Sequence, residues 1–432
     1  MDLSAKLDSD IISFSFFGQT IIVLNSNEAA HDLLEKRSNI HSGRFCPPMI
    51  ASPSLMNMKD FIVFTDTNEL WRKQRRMINS QLGKHTMAAF RASQELEVRR
   101  LLVRLLSAHP TTMSSDLLRE EFCRTTSALF LQSVYGYELK SPQDPFFTDK
   151  IALNEFLSRA VLPAAFLVNV LPWMEHIPDW MPGAGWKQTA YEGRVLKDRA
   201  MSNPYKWAKD RFVNGTNDGS IVSHTYNELR QVGWSEADAD DFSMARYPDV
   251  QEKARHEIDT VVGTDRLPSL EDQASLPFVA RLLTEVVRWH PTVPLGVPHV
   301  CTEENEYRGY RIPKGAIIIG HTTAIVRDER VYKNADTFDP DRYLDSKLPP
   351  PPVFGWGQRV CPGQHFFKEV FFLEVAMILA TLKIEGCEDE NGNEVVPTEE
   401  TEDTSTLLIP VSFQVKISPR SEHHTELIGT AA

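Results

Sequence analysis

The sequence predicts a mostly α-helical protein with a small β region, an α+β chain built as one large domain. Three observations predict it. Apolar residues recur at helical spacing in several segments after residue 247. Runs rich in β-branched and aromatic residues are confined to two short regions. No Gly/Ser linker, internal repeat or long low-complexity tract divides the 432 residues, of which 42% are hydrophobic and 24% charged, enough apolar content for a sizeable core.

Taken in order, the chain opens on Met1-Asp-Leu-Ser-Ala-Lys-Leu-Asp-Ser-Asp, polar and charged, with no transmembrane anchor in view. Strand signals follow in Ile11-Ile-Ser-Phe-Ser-Phe-Phe and Thr20-Ile-Ile-Val-Leu. In Trp71-Arg-Lys-Gln-Arg75 the outer two residues stand four apart and share one helix face. The apolar stretch from Phe156 to Trp173 is broken by Pro163 and Pro172, too often for a membrane span. Trp173, Trp180 and Trp186 suit either the core or a membrane interface.

A helix starts at Pro248, carries the stripe Val250, Ala254, Ile258 and Val261, and stops at Gly263. Another has the stripe Leu282, Leu283, Val286 and Val287, ends before Pro291, and holds Glu285 and Arg288 one turn apart. Strand signals return from Tyr307 to Ile319, with Ile312-Pro-Lys-Gly315 as a turn. The prolines of Leu348-Pro-Pro-Pro-Pro-Val353 donate no backbone hydrogen bonds, so that segment reads as a stiff connector. The last long helical run spans Gln364 to Leu379.

Five cysteines, at 46, 123, 301, 361 and 387, are odd in number and show no Cys-x-x-Cys pair, which argues for a reducing compartment and against zinc. A net charge of -13 disfavours nucleic acid as a partner. The chemistry concentrates in Phe354-Gly-Trp-Gly357-Gln-Arg359-Val-Cys361-Pro362-Gly363. Gly357 and Gly363 permit φ values that other residues avoid, so backbone N–H groups can point at a thiolate. The positive end of the helix that follows favours an ionised sulfur, and Arg359 can pair with a carboxylate lying over the loop. A lone cysteine in apolar surroundings is more often an inert small hydrophobe. A loop-bound thiolate ahead of a buried helix, however, is what a haem iron requires.

This run resembles the haem-binding signature of the cytochrome P-450 family, Phe-x-x-Gly-x-Arg-x-Cys-x-Gly, at every fixed position. Glu285-Val-Val-Arg288 resembles the family's Glu-x-x-Arg pair, Phe338-Asp-Pro-Asp-Arg342 its downstream Arg segment, and Trp71 to Arg75 its Trp-x-x-x-Arg. His299 falls where the family places an Arg or His on a haem propionate. The resemblance implies a single P-450 domain over residues 1–432 with a haem-binding core over 245–380. It implies haem b with iron bound by Cys361, and Phe354, Arg359, Trp71, Arg75 and His299 around the cofactor. Glu285, Arg288 and Arg342 are then a structural triad that braces the haem loop.

The implied activity is a monooxygenase that oxidises a lipophilic small molecule with O2. Electrons would come from NADPH through NADPH-cytochrome reductase, at the cytosolic face of the endoplasmic reticulum. Arg72, Lys73, Arg75 and Arg76, with Arg99 and Arg100, form a basic cluster that could steer that acidic partner. The segment from Leu171 to Gly185 resembles fungal members of secondary metabolism or xenobiotic oxidation. Substrate contacts are expected from Met49 to Met58, Thr292 to Val297 and Thr404 to Leu407.

One family feature has no counterpart in the sequence. The long central helix with an acid-Thr pair, which helps deliver protons to oxygen, belongs between Ile221 and Pro248, where Glu236, Asp238, Asp240 and Asp241 precede no Thr and no apolar helix. An internal deletion near 241–243 is the simplest account, so the fold is expected to be incomplete. Its loss should expose apolar faces of neighbouring helices, at roughly 1.5 to 3 kcal/mol per side chain. Two further readings therefore stand beside the monooxygenase: a haem-thiolate isomerase or dehydratase that does not use NADPH, and a catalytically inactive truncated product.

Overall fold

In the computed structural model, which describes residues 2–107, 112–162, 165–215, 220–222, 247–388, 394–395, 401–403 and 407–430, the first two strand signals form a hairpin. Strands β1 (Ile11–Phe16) and β2 (Gln19–Leu24) pair antiparallel through a turn at Phe17 and Gly18, with φ of 47° and 80°. Two left-handed residues in succession match the twist of such a hairpin. The sheet grows to five strands in the order β1-β2-β8-β5-β3, where β3 is Gly43–Arg44, β5 is His299–Val300 and β8 is Ile317–Gly320. Its register sets Arg44 opposite His299, two residues 255 positions apart in a chain that pattern reading alone would not join.

Between Tyr307 and Ile319 the tight hairpin lies elsewhere than the Ile312–Gly315 turn. Strands β6 (Asn305–Tyr307) and β7 (Tyr310–Ile312) turn at Arg308 and Gly309, φ 51° and 79°, whereas Ile312–Gly315 leads from β7 into β8. A second sheet, β10-β9-β13-β4, joins β4 (Thr112–Ser114), β9 (Leu382–Glu388), β10 (Glu394–Val395) and β13 (Gln414–Pro419). Strands β11 (Thr401–Asp403) and β12 (Leu408–Pro410) pair alone.

Helices make up most of the rest. A short α1 (Asp2–Leu7) occupies the polar start, where the sequence reading expects no element. The helix α2 (Asn27–Ala30), capped by Ser26, runs on as wider turns through Lys36, and α3 is Pro48–Ala51. Asn68 caps α4 (Glu69–Leu82), accepting from the N–H of Trp71, so the Trp71–Arg75 turn begins at a defined point. Then come α5 (Arg91–Ser107), α6 (Ser115–Tyr135), α7 (Pro145–Ala160) and α8 (Trp186–Val213). After the stretch outside the described residues, α9 (Pro248–Val261) opens with its proline in the first turn, as its spacing predicts. Val250, Ala254 and Ile258 face the core, but Val261 is exposed.

The core centres on α12 (Gln364–Thr381), in which every residue from Val370 to Thr381 is buried. A helix apolar on all sides must be covered on all sides. Residues of α5, α9 and α10 (Pro277–Trp289) pack with it in one apolar cluster. The remaining helices are α11 (Thr322–Val326) and α13 (Glu422–Thr430). The deletion near 241–243 lies outside the described residues. Exposed large hydrophobics occur on α8 at Tyr191, Val195, Phe212 and Val213, whereas on α5, α6, α10 and α12 the described ones are Leu96 and Leu117. No helix among the described residues is long and apolar enough to cross a membrane.

Candidate functional site

The loop before α12 is closed by its own backbone. The Cys361 N–H donates to the Phe354 carbonyl at 2.8 Å, and Gly355 and Gly357 adopt left-handed φ of 79° and 53°. Gly357 has no room for a side chain, since a Cβ there would lie 2.6 Å from the Leu34 carbonyl oxygen and 2.7 Å from the Ser38 Cβ. Its N–H donates to the Glu35 carboxylate, which ties the loop to the turns after α2. Gly363, by contrast, has an ordinary φ of -85°, so the freedom expected of it is needed at Gly355 instead.

The N–H groups of Gly363 and Gln364 at the start of α12 favour an ionised Cys361 sulfur, and the Gln364 N–H donates to the Cys361 carbonyl at 3.4 Å. Burial nevertheless pushes the thiol up, outweighing the opposing pull of those N–H groups and of Arg75. Without a metal, burial favours the protonated sulfur, and the helix end alone does not offset that. A cation bound at the sulfur supplies what burial removes.

Arg359 does not reach a carboxylate. Its Nε donates to the Ser42 carbonyl and its Nη2 to the Thr65 carbonyl, each at 2.8 Å, while the guanidinium lies 4.5 Å over the Trp71 ring. Arg75, one helical turn along α4, donates to the Val360 carbonyl beside Cys361. Arg44 donates to the carbonyls of Val297 and Pro298 at 2.7 and 3.1 Å, and its buried Nε has no partner. His299 is 3% exposed, and its Nδ1 meets the His41 carbonyl at 2.7 Å.

These four side chains sense one another. Burial, then Arg359 and Arg75, push the Arg44 guanidinium well below its usual range, and burial pushes Arg359 down to about 10, with Arg75 adding to the fall and Asp66 opposing it. A guanidinium stays charged in proteins, so these shifts measure the cost of unneutralised positive charge. No carboxylate hydrogen-bonds to any of the four among the described residues. A ligand with two carboxylates on an apolar plate fits this edge, and a haem has that form. Arg44 escapes the sequence reading because only the pairing of β3 with β5 brings it there. Its one local signal is an arginine next to a glycine, Gly43, whose added Cβ would press to 2.7 Å on the Val300 carbonyl.

On α10, Glu285 and Arg288 are both fully buried and form a two-point pair, Nε to Oε2 at 2.7 Å and Nη2 to Oε1 at 2.8 Å. Arg342 joins them through Nε to Oε1 at 3.0 Å, and the Asp339 N–H donates to the same oxygen at 2.8 Å. The remaining Arg288 donor reaches the carbonyls of Val326 and Ala335, so the triad ties α10 to α11 and to the segment before the cysteine loop. Phe354 points elsewhere than the cationic edge. Its ring meets Phe367 of α12 edge-on at 5.5 Å, with the Lys368 ammonium 5.3 Å from its face.

The expected substrate segments divide. Met49, Ile50, Leu55, Met56 and Met58 are core residues at 0 to 2% exposure, packed on α7 and α8, while Leu295 and Val297 are exposed. Residues 404–406 lie outside the described residues. Of the basic cluster, Arg72, Lys73 and Arg76 are exposed, but Arg100 is engaged by Glu97 and Glu138. Trp173 and Trp180 are 62% and 82% exposed, whereas Trp186 is not.

Comparison with known proteins bears on these arrangements. The family model described as cytochrome P450 matches residues 2–185 and 242–417. The chain is 33% identical to the cytochrome P450 monooxygenase claR of Ampulloclitocybe clavipes, over 97% of this chain and 81% of that protein. It is equally 33% identical to a cytochrome P450 monooxygenase of Armillaria gallica, over 98% of this chain and 88% of that protein. Cytochrome P450 monooxygenase 98 of Postia placenta shows 33% identity as well, over 97% and 85%.

Proposed function

The chain belongs to the cytochrome P450 family, and from that premise we propose that Cys361 ligates haem iron in a monooxygenase acting on a lipophilic small molecule in fungal secondary metabolism or xenobiotic oxidation. Enzymes of this family carry haem iron and draw electrons from NADPH through a reductase. One observation carries the site assignment. Arg44, Arg75 and Arg359 converge with His299 beside the Cys361 loop, and among the described residues no carboxylate hydrogen-bonds to any of them. The bound cofactor supplies activation of O2 and transfer of one oxygen atom to a C–H bond.

The protein's own part is to hold and shape. N–H groups of Gly363 and Gln364 stabilise the Cys361 sulfur as a thiolate once a metal offsets burial. Arg75 would present a donor to anionic groups at the cofactor edge, while Arg359, held by the Ser42 and Thr65 carbonyls and stacked on Trp71, adds a fixed positive charge there. Glu285, Arg288 and Arg342 take the structural role of fixing the segment that leads into the loop. Thr292 to Val297, partly exposed beside His299, remains the best-placed substrate contact.

The proposal includes a single domain with its haem core over 245–380 and a deletion near 241–243. Support comes from the interruption of the family match between residues 185 and 242, and from alignments of 447 and 460 positions to relatives of a 432-residue chain. Exposed Trp173, Trp180 and Leu167 support contact with a membrane interface at the endoplasmic reticulum, and exposed Arg72, Lys73 and Arg76 support docking of NADPH-cytochrome reductase. The reduced, carbon-monoxide difference spectrum of the chain with haem tests the ligand. The red-shifted Soret band of a thiolate complex is expected, and a band at the position of an imidazole-ligated haem would overturn the assignment of Cys361.

A further inference from the structure

His299 has one ring nitrogen already committed. A carbonyl only accepts hydrogen bonds, so the 2.7 Å contact with the His41 carbonyl places a proton on Nδ1. Burial, with Arg44 beside it, holds the ring well below the usual histidine range, against the pull of the His41 carbonyl, and Arg359 and His41 add to the depression. The His41 ring is itself neutral, pushed down to about 4 by burial. The ring of His299 is thus neutral with a bare Nε2, which can accept a hydrogen bond but cannot donate one to a carboxylate.

The charged and titratable groups facing it are Arg44 from β3, Arg359 from the cysteine loop, and the His41 ring from the segment before β3. All are cationic or neutral. An arriving carboxylate reverses that balance, since it neutralises the guanidiniums and asks for a donor at Nε2. We propose that His299 is a protonation-coupled anion clamp, taking up a proton at Nε2 as a porphyrin carboxylate docks, with the His41 backbone as the positioning group that fixes the other nitrogen. The inference rests on the haem site proposed above and adds to it a proton that enters with the cofactor.

Metal-free protoporphyrin IX separates the two, because it has the carboxylates and no iron. Its binding to the full chain is followed by fluorescence quenching, and proton uptake by calorimetry in two buffers of different ionisation enthalpy. About one proton should enter per porphyrin, and affinity should fall by up to about tenfold per unit rise in pH, between the free and the bound pKa of His299. The dimethyl ester of protoporphyrin should bind without uptake, and so should the free acid to His299→Arg or His299→Asn. Uptake that persists in both variants, binding of the free acid without uptake, or no binding of the free acid overturns the clamp. So does nitrogen-15 NMR of the haem-free protein that finds the proton on Nε2, a measurement that needs no variant to fold. The carbon-monoxide spectrum of the iron form reports on Cys361 separately.

Discussion

At the residue scale, the site is defined by where charge is left without a counter-charge. Burial raises the Cys361 thiol while the N–H groups of Gly363 and Gln364, with Arg75, pull it down, a balance that a bound cation would tip toward the thiolate. Cys361→Ser should abolish the red-shifted carbon-monoxide band and reduce oxygenation to background, with the far-ultraviolet circular dichroism unchanged. Arg44 is the residue that spacing could not reveal. Arg44→Met removes one donor from the proposed cofactor edge and should weaken haem binding by about tenfold or more, the scale of a charge-assisted hydrogen bond, read by haem titration. Trp71, Arg75 and Arg359 were singled out because each sits in a short pattern, and His299 by its place in the family resemblance alone. Their contacts were not legible, because Arg359 spends its donors on carbonyls from two distant segments, at Ser42 and Thr65.

At the element scale, three polar devices hold helices and turns in place. Glu285 accepts from Arg288, Arg342 and the Asp339 N–H, and its loss strands two guanidiniums in the core. Glu285→Ala should cost about 3 to 5 kcal/mol in chemical denaturation, the range for breaking a buried pair. Glu257 on α9 caps the start of α10, its two oxygens accepting from the N–H groups of Phe278 at 2.8 Å and Val279 at 2.9 Å. Glu257→Ala should cost about 1 kcal/mol, as for loss of an N-terminal cap.

Asp272, hydrogen-bonded by Arg266 and by Ser269, has its carboxyl lowered from 3.8 to about 2 despite partial burial. A carboxylate lowered on folding stabilises the fold above its unfolded pKa and loses that contribution as pH falls through the folded value. Stability supplied by this group is therefore complete above 3.8 and vanishes toward about 2, and Asp272→Asn should flatten the acid limb of a stability-against-pH curve in that window.

At the scale of the whole molecule, the apolar helix α12 is the hub of one core cluster, the cysteine loop leads into its start, and Trp356 of that loop packs in the cluster beneath the five-stranded sheet. The proposed central deletion makes its own prediction. Inserting an apolar helix with an acid-Thr pair between Asp241 and Ser243 should raise haem occupancy and the yield of oxygenated product per NADPH, and an insertion that leaves both unchanged argues that the chain is whole as written.

The sequence by itself determined the family, the cysteine loop ahead of a long helix, the helices begun by Pro248 and ended near Pro291, and the two strands at the start. All of these depend on neighbours within about one to four residues, a range over which spacing dictates geometry. Only the tertiary structure decided that Arg44 faces His299, that Gly357 must be glycine because Leu34 and Ser38 press on it, and that Met49 to Met58 fill the core. Those contacts join segments tens to hundreds of residues apart, and their partners are chosen by sheet register and packing, which no local pattern encodes.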